Sequence, residues 1–371
     1  MNNDYLKKQI ITYMGNKRKL LGQISEIIDM IKNELGDNIT SADAFSGSGI
    51  VSRLLKTKSS KLFVNDIAGY SETLNKCYLD TPSPMKIEKI KQYVDTVNNI
   101  AHNFSTNINE TKWISRYWAP SGEISKKDRV YFTEENGILI DRYQHLINEV
   151  PKEFRHYLLA QLIVKSSVHN NTNGQFSAFY KDENGVGKYG GKKEIDIKRI
   201  TGSIKLEYPI FSPKKCKIDI QKMDSNNWVK KIPEVDLMYL DPPYNKHPYS
   251  IYYFMLDIIN NWDTNAEIPD TNRGQPKNWN KSEYNSINKA TSAFKDLIKN
   301  IRAKFILLSY NNKGIIPIKD IEKILKSKGK LYTFPLTHKT YNKLKGIASY
   351  KRKEEWSDVK EFMWLVDTRK N

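Results

Sequence analysis

The sequence predicts an α/β fold: a doubly wound, mostly parallel sheet with helices on both faces, interrupted by a long insertion. Three observations carry this. Two strand-turn-helix units follow each other early in the chain, a continuous apolar strand appears at 237–240, and a looser Asn-, Tyr- and Lys-rich stretch separates them. With 371 residues, 39% hydrophobic and 11% aromatic, the chain can bury a sizeable core in one large domain or two ordinary ones.

The elements follow in order. "ITSADAFSGSGIVSRLL" (39–55) reads as a short strand, a glycine turn and the start of a helix. "SKLFVNDIAGYSETLN" (60–75) repeats it, with Leu62, Phe63 and Val64 leading to Asp66. Between 70 and 205 the pattern loosens, with candidate helices at 84–101 and 152–168 and a glycine-dotted stretch from 171 that fits a hairpin. The run Leu237-Met238-Tyr239-Leu240 is too continuous for a half-exposed strand and suits one buried on both faces. "AKFILLSYNNKG" (303–314) gives another strand, and "IKDIEKILKSKGK" (318–330) a short helix stopped by glycine. "LYTFPL" and "EFMWLVD" read as closing strands. Residues 1–69 and 206–371 are therefore one domain, and 70–205 an insert.

Charge narrows the partners. Sixty Lys and Arg against 42 Asp and Glu give a formal +18, a field that attracts polyanions, nucleic acid above all. No run of about 18 apolar residues occurs and the N-terminus lacks an apolar signal core, so a soluble, intracellular protein without a membrane partner is expected. Cys77 and Cys216 form no metal-ligand or disulfide pattern, and the six histidines show no ligand spacing.

Two motifs carry chemistry. In "DAFSGSG" (43–49), Gly47 and Gly49 let the backbone approach a ligand at a helix N-terminus, although a plain structural turn uses the same glycines. Asp66, at the end of the next strand, can accept from both hydroxyls of a ribose. A third glycine is missing, which argues against a dinucleotide and leaves a single nucleoside. No phosphate-cradling P-loop is present. In "DPPY" (241–244), the rigid prolines hold the Asp241 carboxylate and the Pro242 carbonyl as converging acceptors, a pair that suits an amino group. Tyr244 offers a ring on which a base can stack.

With "YMGNKRKLL" (13–21), these motifs resemble the signatures of the S-adenosyl-L-methionine-dependent DNA amino-methyltransferases, in the chain order of the alpha group of Dam-like adenine methylases. The resemblance implies a Rossmann-like methyltransferase sheet with an inserted target-recognition subdomain. It also implies S-adenosyl-L-methionine as cofactor and methyl transfer to the N6 of a flipped-out adenine in double-stranded DNA, with no metal. Tyr13 and Lys17 match positions lining the cofactor and active-site cleft. Asp43, Phe45, Ser46, Gly47 and Gly49 match the surround of the methionine part, Asp66 the ribose acid, and Asp224 with Ser225 the contact to the cofactor adenine. Asp241, Pro242 and Tyr244 match the catalytic motif. The family further implies a bacterial, cytoplasmic monomer on the nucleoid, paired with a cognate restriction endonuclease. A solitary regulatory methylase, or an amino-methyltransferase acting on cytosine N4 or RNA, is the alternative.

Two segments are expected at the DNA. "HKTYNKLKGIASYKRK" (338–353) has six Lys or Arg and no acid, as phosphate contact requires. The stretch 174–198 is marked by its place between the glycine loop and DPPY, where the resemblance extends to a recognition hairpin. A nuclease reading, on Asp182, Asp196 and Lys198, rests on a pattern too short to compete.

Overall fold

The computed structural model describes residues 3–191, 196–277, 279–336 and 361–370. Its seven-stranded sheet consists of β1 (Thr40–Asp43), β2 (Lys61–Asp66), β3 (Lys217–Lys222), β4 (Val235–Leu240), β5 (Ala303–Asn311), β6 (Lys330–Leu336) and β7 (Glu361–Asp367). The order across the sheet is β3-β2-β1-β4-β5-β7-β6. β1 to β5 run parallel, whereas β7 is antiparallel to both β5 and β6.

Alternation along β2, β4 and β5 explains why the middles of these strands are continuously apolar. Leu62, Val64, Leu237, Tyr239, Phe305 and Leu307 share one buried core with Ile24, Ile28 and Leu54 of helices Leu21–Leu35 and Ile50–Lys58. Phe63, Met238, Leu240, Ile306 and Leu308, one residue out of step, face the opposite core with Phe294, Leu297, Ile321 and Leu325. Side chains of successive strand residues point to opposite faces, so burial on both faces requires an unbroken apolar run. β3 is the exception. It is an edge strand, half-exposed along its length, and with only Ile218 and Ile220 apolar it offers no continuous run to pattern reading.

The chain between β2 and β3 is largely helical. Helix Gly69–Tyr78 leaves β2, and helices Pro84–His102, Ile114–Trp118, Glu134–Glu149 and Lys152–Val168 follow. Their apolar faces form a third core, which also takes in Phe254, Met255, Leu256 and Ile259 of helix Phe254–Asn261. The start of Ile114–Trp118 is held by buried Asp141, whose carboxylate accepts from the amides of Trp113, Ile114 and Ser115 at 3.1, 2.8 and 3.1 Å.

The hairpin expected from 171 onward is present in minimal form, the Asp182 amide donating to the carbonyl of Val186 at 2.8 Å and the Lys188 amide to that of Tyr180 at 3.0 Å. Among the described residues it has one isolated bridge, Lys181 to Gly187. Its base is tied down by the side chain of Asn171, which donates to the carbonyls of Val130 and Lys188 at 2.8 Å and accepts from the amide of Gly190 at 3.0 Å. The basic segment 338–353 lies outside the described residues. No helix among those described is long and apolar enough to cross a membrane.

Candidate active site

The strand order reverses at β1, which has β2 on one side and β4 on the other. In such sheets a crevice opens beyond the carboxyl ends of the strands at this point. Here it is a cleft of about 1020 Å³, counted to its open mouth and including solvent-open space. Acids at the strand ends meet in it: Asp43 from β1, Asp66 from β2, Asp224 just past β3 and Asp241 just past β4.

The glycine loop is built by backbone geometry. Gly47 and Gly49 have φ of +49° and +76°, in the left-handed region that disfavours side chains. A Cβ on Gly47 would stand 2.9 Å from Cε1 of Tyr13. The loop therefore lets the N-terminal segment lie directly across it. Ser46 is buried and accepts from Nδ2 of Asn75 at 2.9 Å. Phe45 meets the Tyr284 ring edge-on, with centroids 5.4 Å apart.

Each acid is oriented. Asp43 accepts from the hydroxyl of Ser52 at 2.6 Å and the amide of Phe45 at 3.3 Å, yet full burial raises its pKa to about 7. Asp66 accepts from the amides of Gly47 at 2.7 Å and Ala68 at 2.9 Å; burial raises its pKa and these bonds oppose the rise. Asp224 caps the helical turn Ser225–Trp228 by accepting from the amide of Asn227 at 3.0 Å, while Ser225 donates to the carbonyl of Ala44 at 2.8 Å.

Asp241 is held from two sides. Its Oδ1 accepts from the Tyr244 hydroxyl and lies 3.3 Å from Nζ of Lys17, whose side chain is only 2% exposed. Burial raises its pKa to about 6, against the pull of Lys17. Lys17 enters from a short 3-10 turn capped by Asn16, after Gly15 takes the left-handed φ of +76°. The ring of Tyr13 stacks on those of Tyr253 and Tyr249, at 4.6 and 5.2 Å between centroids, and forms an aromatic wall.

Of the residues singled out in the sequence, Tyr13, Lys17, Asp43, Phe45, Ser46, Gly47, Asp66, Asp224, Ser225 and Asp241 line the cleft. Gly49 begins the helix behind the loop and packs on Asn75. Pro242 is buried beside Asp241. Tyr244 is 5% exposed and meets Tyr310 edge-on at 5.2 Å. Sequence reasoning did not find Asp257, which helix Phe254–Asn261 carries into the cleft. Its Oδ1 is buried without a hydrogen-bond partner, and burial raises its pKa to about 7. A single acid inside the apolar run "YYFMLDII" was the available signal. Among the described residues that line the cleft, Lys17 is the one lysine or arginine. No group of three or more His, Cys, Asp or Glu is arranged to hold a metal among the described residues.

Comparison with known proteins agrees with this geometry. Residues 13–324 match the family described as D12 class N6 adenine-specific DNA methyltransferase. The chain is 26% identical over 365 residues to the type II methyltransferase M.NlaIII of Neisseria lactamica, covering 96% of this chain and 99% of that protein. It is 24% identical to the type II methyltransferase M.CviAII of Paramecium bursaria Chlorella virus 1, covering 96% and 98%. The type II methyltransferase M.FokI of Planomicrobium okeanokoites is 28% identical over 95% of this chain, which spans about half (52%) of that longer protein.

Proposed function

Because the chain belongs to the D12 class of N6 adenine-specific DNA methyltransferases, we propose that it moves a methyl group from S-adenosyl-L-methionine to an adenine swung out of duplex DNA at a specific sequence. The observation that carries the proposal is Asp241, fixed at the end of β4 in a cleft ringed by Asp43, Asp66, Asp224 and Asp257. The overall +18 charge suits the DNA, but the cleft itself is acidic. That donor set fits a small cationic ligand, and the unpartnered Oδ1 of Asp257 is a spare acceptor within it.

When bound, S-adenosyl-L-methionine supplies a methyl group already activated by its positively charged sulfur. Asp66 would accept from the ribose hydroxyls, Asp224 and Ser225 would face the adenine, and Asp43 with the 45–49 loop would hold the methionine part. The target amine is a poor nucleophile, because its lone pair is delocalised into the purine ring. Asp241 and the Pro242 carbonyl accept its two N–H hydrogens and draw the nitrogen toward tetrahedral geometry, with the lone pair aimed at the methyl. Alignment and electrostatics are the enzyme's contribution. The base must leave the stack to reach this depth, and Tyr244 with the Tyr13–Tyr249 wall offers rings beside the acid.

Residues 70–205 are assigned target recognition, because they fill the chain between the two halves of the sheet domain. The similar proteins are type II methyltransferases, which supports a role as the modification partner of a restriction endonuclease.

The test is long-read sequencing with modified-base detection on plasmid DNA from a methylation-deficient host expressing the chain or Asp241→Ala. N6-methyladenine at one recurring sequence, absent in the variant, is expected. Methylation undiminished by Asp241→Ala would remove the acid from the mechanism.

A further inference from the structure

Glu361 is the first residue of β7, paired with Asn311 of β5 and Leu336 of β6. Its carboxylate accepts from Lys17 Nζ, and the same ammonium touches the Tyr244 hydroxyl and lies 3.3 Å from Asp241. One buried cation is thus shared by two carboxylates, whose side chains are 18% (Asp241) and 12% (Glu361) exposed.

A buried ammonium facing a single carboxylate closes on it, because nothing else compensates either charge at low dielectric. Such a closed pair would occupy the oxygens that an incoming amine needs. A second carboxylate on the far side changes the balance, since it anchors the cation and spares lone pairs on the first. We propose that Glu361 is a positioning residue for methyl transfer: it holds the Lys17 ammonium back from Asp241, so that an Asp241 oxygen stays open to the adenine amine. The inference rests on the assignment of Asp241 as the amine acceptor.

The charged and titratable groups facing Asp241 are Lys17 from the N-terminal segment, Asp43 from β1, Tyr239 from β4, Tyr244 and Tyr249 beyond it, and Glu361 from β7. Within this set the negative charge of Glu361 pushes the Asp241 pKa up. Removing that charge lowers it, so the acid limb of the rate profile should move to lower pH.

The experiment compares the full wild-type chain with Glu361→Gln and Glu361→Asp, using duplex DNA of the identified sequence and saturating S-adenosyl-L-methionine. Glu361→Gln should lower kcat by about 10- to 100-fold, the scale of a small misplacement at a reacting centre. Cofactor affinity should change by less than about twofold, because the residue acts on Asp241 and not on the cofactor. The acid limb should shift downward in Glu361→Gln and stay in place in Glu361→Asp, which should recover part of the rate. An unchanged kcat in Glu361→Gln overturns the proposal. So does a slow variant whose acid limb has not moved, or one that has also lost cofactor affinity, since either marks a structural role. Asp241→Ala in the same assay separates the two claims: if it turns over, the amine-acceptor assignment fails, and if it is inactive while Glu361→Gln is normal, only the role of Glu361 fails.

Discussion

In the proposed function Asp66 serves binding and Asp241 the chemistry, and in the structure each is fixed by neighbours within the cleft. Both oxygens of Asp66 accept from backbone amides, of Gly47 and Ala68, so the side chain is aimed before any ligand arrives. Hydrogen bonds to a charged group contribute about 1.5–3 kcal/mol. Asp66→Ala is therefore expected to raise the dissociation constant for S-adenosyl-L-methionine about 10- to 100-fold in calorimetry, with a smaller effect on kcat at saturation. An unchanged affinity would place the ribose contact elsewhere. These acids were legible in the sequence because each ends an apolar strand, where a buried run gives way to a polar residue. Glu361 was not legible: it meets Lys17 across 344 positions, through an antiparallel closing strand whose register no local pattern specifies. Asp257 stood between the two cases, its burial marked by its apolar neighbours and its partners left open.

At the scale of elements, the helices that were missed are held by close contacts that composition does not advertise. Glu134–Glu149 packs on Ile114–Trp118 at Gly137, where a Cβ would collide with Cβ of Ala119 and stand 3.1 Å from Cα of Ser115. Helix propensity alone favours alanine over glycine by about 1 kcal/mol. Overpacking against a rigid neighbour costs about 1–3 kcal/mol, so the clash should win. Gly137→Ala is expected to destabilise the protein by up to about 2 kcal/mol in urea unfolding, and a stabilised variant would mean that the two helices can move apart freely. The same contrast explains what pattern reading recovered. β2, β4 and β5 are buried on both faces and announce themselves as apolar runs, while β1 (Thr40–Asp43) is marked by the glycine turn that follows it. β3 lies at the edge, and the segment after Asn171 pairs only at Lys181 and Gly187 among the described residues, its base tied by the Asn171 side chain.

Over the whole molecule two opposed fields coexist: a chain of +18 surrounds a cleft ringed by Asp43, Asp66, Asp224, Asp241 and Asp257. If, as proposed, the excess of cations serves the DNA and the acids a cationic cofactor, two solution variables should separate the functions. Lowering the pH protonates Asp43 and Asp257, at about 7, and then Asp241, at about 6. Each protonation removes negative charge facing the ligand. By linkage, a cation that lowers one of these pKa values by a unit must bind about tenfold more weakly once that acid is protonated. Affinity for S-adenosyl-L-methionine should thus fall roughly tenfold between pH 8 and pH 5.5, and affinity for S-adenosylhomocysteine, which lacks the sulfonium charge, should fall less. Salt acts on the other field. Each phosphate neutralised by lysine or arginine lowers log K by about 0.9 per decade of salt, so a footprint of six or more contacts loses about 10³-fold in DNA affinity between 50 and 200 mM. The cofactor, held in a recessed cleft that salt screens poorly, should change by less than about tenfold over the same range. Fluorescence anisotropy with duplex DNA and calorimetry with the cofactor measure the two slopes side by side. Equal slopes would mean that one shared field governs both ligands, and the cleft would then lose its claim to be an acidic site set apart from a basic surface.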